Sequence, residues 1–99
     1  MFGIINTQRK PTMKMLMKNV DMICISSKDG VISPLRFRMT DGRGDTTVVK
    51  IDRILIRDEQ KIAGNRMLVY KVQSLFGDIE KVYEMKYEVA TCKWYIAKM

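Results

Sequence analysis

The chain has 99 residues, 46% apolar and 29% charged, a size and composition that suit one globular domain with one core and exclude a disordered chain. There is no histidine, so histidine-dependent acid–base catalysis, nucleophile pairs and triads are excluded, and Cys24 and Cys92 alone complete neither a zinc site nor a disulfide framework. The net charge of +7 is uneven: residues 1–18 hold Arg9, Lys10, Lys14 and Lys18 with no acid, which leaves the remainder a net +3.

Residues 1–12 show no helical or strand period and Pro11 interrupts them, so residues 1–18 read as a basic, mobile N-terminal tail and residues 19–99 as a single globular β domain. From Val20 the pattern becomes β. "VDMICIS" runs to Lys28-Asp29-Gly30, where Asp-Gly predicts a two-residue hairpin turn, and "VISPLRFRMT" returns across it. Pro34 cannot donate a ladder hydrogen bond, which marks an edge or a bulge. Beyond it Leu35, Phe37 and Met39 are expected to point inward, and Arg36, Arg38 and Thr40 outward.

"DGRGD" is the loop that follows. Its Arg43-Gly44-Asp45 tripeptide matches an adhesion ligand, but such a match arises by chance in about 1% of chains this long, and turn composition raises that figure. Next, "TTVVKIDRILIRD" reads as one long strand whose apolar parity flips between Val49/Ile51 and Ile54/Ile56, so an extra residue or a bend is expected near Asp52 or Arg53. Gly64-Asn65 and Gly77-Asp78 mark two further turns around "RMLVYKVQSLF", where Leu68, Tyr70 and Val72 share a face.

The last third has two readings. As strands, Tyr83, Met85, Tyr87 and Val89 alternate with Glu84, Lys86 and Glu88. As a helix over 79–99, Val82, Met85, Val89, Cys92, Ile96 and Met99 form a stripe. Glu80, Glu84 and Glu88 would repel at i, i+4 on that helix, and the segment is rich in valine and tyrosine, so strands are preferred. The fold expected is mainly β, a single small antiparallel barrel or rolled sheet of five to six strands; the alternative is α+β with the C-terminal helix.

With no secretory pattern and no apolar run of ~20 residues, a cytoplasmic, membrane-free protein with two half-buried thiols is the default. No enzyme, cofactor or metal is expected; Cys92 precedes Lys93, but neighbouring strand residues face opposite ways. Two binding roles remain. Small β-barrels hold single-stranded nucleic acid with cations along the phosphates and aromatics under the bases, for which Arg9, Lys10, Lys14, Lys18, Arg36, Arg38, Lys86 and Tyr95 are the candidates, with Lys71, Lys81, Lys93 and Lys98 extending them. Alternatively, nine methionines and strands with apolar residues on both parities suggest a protein-interaction or homodimeric adaptor domain, using a methionine-rich face or an exposed edge strand.

Overall fold

The structure, a computed structural model, describes residues 15–99. Among them run seven strands: β1 (Met15–Ser26), β2 (Ile32–Thr40), β3 (Thr46–Lys50), β4 (Arg53–Ile62), β5 (Asn65–Phe76), β6 (Ile79–Glu88) and β7 (Lys93–Lys98). They form one antiparallel sheet in the order β3-β2-β1-β7-β6-β5-β4, curled into a half-barrel. The mainly β, rolled-sheet expectation holds. The helix over 79–99 does not: those residues are β6 and β7, and Val82, a member of the helical stripe, is 44% exposed on the face opposite the core.

The strand count exceeds the expected five to six because "TTVVKIDRILIRD" is two strands. Ile51 N–H donates to the Leu35 carbonyl on β2, and the very next amide, Asp52 N–H, donates to the Gln73 carbonyl on β5. Two consecutive amides thus bind strands near opposite borders of the sheet, which draws those borders together at this end. The parity flip has a second source, a register shift between Ile54 and Ile56 that leaves Leu55 as the extra residue. Met15 to Lys18, expected in the tail, belong to β1, where Met15 and Lys18 pair with Lys98 and Ile96 of β7.

Turn chemistry explains the other boundaries. The first hairpin has a three-residue loop instead of the expected two, because Ser27 and Val31 still pair (Ser27 N to Val31 O, 2.9 Å) and Gly30 takes the left-handed position at φ 82°. "DGRGD" repeats the design: Asp41 N donates to Asp45 O at 2.9 Å, Gly44 sits at φ 87°, and Asp41 Oδ1 accepts from the amides of Arg43 and Asp45. The β6–β7 turn has no glycine. Cys92 occupies its left-handed position at φ 60°, a conformation that costs an L-residue about 1–2 kcal/mol.

Inside the curl lie Val20, Phe37, Val49, Ile51, Tyr70, Val72, Tyr83, Met85, Trp94 and Ile96. The alternation of β6 holds, with Tyr83 and Met85 fully buried; each such side chain contributes about 1.5–3 kcal/mol. Leu35, at the register shift beside Pro34, departs from its expected inward position and is 38% exposed. Within the core the hydroxyls of Ser74 and Tyr83 share a 2.6 Å hydrogen bond. Burial pushes the Tyr83 phenol up to about 12.

Candidate functional site

On β1, β2 and β3 alternate residues leave the core and form an outer face. Register arranges them in rows: Asp21, Arg38 and Val48 lie side by side in one, and Ile23, Arg36 and Lys50 in the next. The two arginines of "LRFRMT" therefore have different neighbours. Arg38 donates twice to Asp21 Oδ2, at 2.9 and 3.2 Å, and its charge is matched. Arg36 stands directly opposite Lys50, and neither has an acidic partner within ion-pair distance among the described residues.

Like charges directly opposite on a sheet cost a few tenths of a kcal/mol or more, so this row is locally unfavourable in the free protein. Around it lie exposed aliphatic side chains, Ile23 at 57% and Val48 at 60%. Between them is an open depression of about 370 Å³, lined by Asp21, Ile23, Arg36, Arg38 and Val48 together with Met22 and Phe37.

The outer face of the other half is balanced. Lys71 stands opposite Glu84 and Lys93 opposite Glu88, and Lys98 Nζ lies 4.0 Å from Glu84. Lys86 and Tyr95, both expected at a binding site, are neighbours across β6 and β7 and both half-buried. They are two to three strands from Arg36, roughly 10–14 Å at ordinary strand spacing. Lys18 is exposed on β1 opposite Ile96. Lys81 lies on the core side opposite Ser74, 5.5 Å over the Phe76 ring, and does not extend the outer face. Arg9, Lys10 and Lys14 lie outside the described residues.

Three expectations change. Phe37, Tyr70, Tyr83 and Trp94 are buried and Phe76, Tyr87 and Tyr95 half-buried, so no described aromatic side chain forms an exposed stacking platform. Nor do the methionines with described side chains form a continuous face: Met67 and Met85 are buried, Met22, Met39 and Met99 half-buried, Met17 alone of them is exposed, and the other large exposed apolar residues are isoleucine, leucine and valine. Cys24 and Cys92, expected half-buried, are exposed free thiols. The Tyr87 phenol is raised to about 12, first by the neighbouring Cys92 thiol and then by desolvation. Among the described residues no three His, Cys, Asp or Glu side chains cluster to hold a metal, and no helix is long and apolar enough to cross a membrane.

Lys50 is the residue that inspection of the sequence missed. Its signal was present: a hairpin folded symmetrically about Arg43 pairs Arg36 with Lys50, as the observed register does. Comparison with known protein families, with characterised proteins and with solved structures gives no match to this chain.

Proposed function

We propose that the protein is a small non-enzymatic binding module that docks a protein partner on the outer face of β1, β2 and β3. The observation carrying this reading is the Arg36–Lys50 row, two facing cations beside exposed Ile23 and Val48 at an open depression. Charge and exposed aliphatic surface together suit an amphipathic protein surface. A single nucleic-acid strand suits them less, since it gains much of its affinity by stacking on exposed aromatics. The free thiols of Cys24 and Cys92 accord with a reducing, cytoplasmic setting.

The test places a photo-crosslinking amino acid at position 23 in the full chain, inside the cell of origin. A discrete protein adduct that disappears when Arg36 and Lys50 are both changed to glutamate is the expected result. Adducts to RNA would favour the nucleic-acid reading, and an adduct of the chain with itself the homodimeric one. No adduct, or one indifferent to the double change, would remove the face from consideration.

A further inference from the structure

We infer that the partner is an acidic, extended segment that adds as a strand to the free edge of β3, an inference that rests on the docking face just proposed. The phase of the β2–β3 ladder supplies the geometry. Its hydrogen bonds join Ile51 to Leu35 at one end, and Asp41 to Asp45 across the loop at the other. Both pairs are odd-numbered. In an antiparallel ladder bonded and non-bonded pairs alternate, so Thr47 and Val49 bond to β2, whereas the N–H and C=O groups of Thr46, Val48 and Lys50 point away from the sheet. β3 is a border strand among the described residues, and all three of these positions are exposed.

Side chains select what can pair there. A strand laid beside β3 places its outer-face residues next to Val48 and Lys50, with Arg36 one strand further. An apolar residue fits beside Val48. An acid beside Lys50 would relieve the facing cations; the two positions lie on one face, so the segment that fits carries an apolar residue and an acid two positions apart. The chain itself does not supply it: residues 1–14 contain three cations and no acid, and a β3–β3 pairing of two copies centred on Val48 would set Thr46, not an acid, beside Lys50.

The other border of the sheet is obstructed along its first half. Arg57 of β4 reaches across the curl, donating from Nη1 to the Ile32 carbonyl at 3.1 Å and from Nη2 to Ser33 Oγ at 2.9 Å, and the register shift at Leu55 interrupts that edge.

The probe is an acetylated, amidated eight-residue peptide of two Val-Thr-Glu-Thr repeats, which sets valine and glutamate in turn along one face, with a Val-Thr-Lys-Thr repeat as the lysine control, titrated into the isotopically labelled full chain and followed by amide exchange. The glutamate peptide is expected to slow exchange at Thr46, Val48 and Lys50 at least tenfold, leaving Thr47 and Val49 unchanged, and the lysine peptide to do neither. Val48→Pro removes one outward N–H without touching the β2 ladder, and Lys50→Glu reverses the charge. Each is expected to weaken binding fivefold or more, and retained protection at Thr47 and Val49 shows that the fold persists.

Perturbation of Ile23 and Val48 side chains without protection of the three β3 amides would overturn strand addition while leaving the docking face standing. No response to the glutamate peptide at millimolar concentration, or equal response to the lysine peptide, would overturn the inference outright. The crosslinking result decides the docking face separately.

Discussion

β3 ends at Lys50 and β4 begins at Arg53, yet these neighbours in sequence are the two opposite borders of the sheet. Their edges are finished differently. β4 is long, charged and interrupted at Leu55; Arg57 ties it across the curl to β2, packs 5.6 Å from the Tyr70 ring centre, and shares the Ile32 carbonyl with the Tyr70 hydroxyl. Glu59 and Arg66 form a close pair at 2.7 Å on the same hairpin, and that hydrogen bond holds the Glu59 carboxyl below its usual range. β3 is five residues long, buries Val49, and has no corresponding side-chain tie, its border marked only by Val48 and Lys50. An edge that is merely structural tends to be blocked by charge, bulge or cover; β3 is defended only by being short. The contrast is the reason for proposing a docking edge on β3 and not on β4.

Four measurements test the contrast. If both borders share one core, they should come apart together when that core is charged. Tyr83 titrates at about 12 in the folded protein against 10.0 unfolded, so its stabilising contribution is complete below pH 10 and is lost as pH rises through 12, on the order of 2 kcal/mol. Alkaline unfolding followed separately at β3 and β4 should give one coincident transition; two would divide the domain. Next, Val49→Ala should cost about 2 kcal/mol by denaturant titration because Val49 is 3% exposed, whereas Ile62→Ala on β4, at 67%, should stay within about 0.5 kcal/mol. The border left free at its edge is thus anchored from beneath.

Arg57→Met should cost about 1–2 kcal/mol by losing two hydrogen bonds and its stacking on Tyr70, and should speed amide exchange in β4 more than in β3. Equal acceleration in both would mean that Arg57 is not a local tie. The smallest effect is the most telling. Lys50→Glu turns the unfavourable pair with Arg36 into an attractive one, so it should stabilise the free protein by about 0.2–1 kcal/mol while impairing partner binding. A destabilised variant would show that the facing cations carry no local penalty.

Much of this was legible before folding. Alternation in "LRFRMT" placed Phe37 inside and Arg36 and Arg38 outside, and the parity flip after Ile51 announced an interruption. The β6 pattern of Tyr83 and Met85 against Glu84 and Lys86 was equally plain. What stayed hidden depended on partners distant in sequence. Arg36 and Arg38 are indistinguishable by local pattern, and only pairing with β1 and β3 gives one of them Asp21 and the other Lys50. The Cys92 turn was obscure because an unusual backbone angle there is held by the pairing of β6 with β7, with no glycine to announce it.

Hydrophobic alternation and turn chemistry act over a few residues, so the residues themselves determined that this chain makes strands, where most of them turn, and which side of each faces the core. Which strands become borders is a property of the whole sheet. That outcome was decided when Ile51 and Asp52 bonded to strands near opposite ends of the order, for hydrogen bonds and charges between strands depend on register across the fold, which no local spacing records.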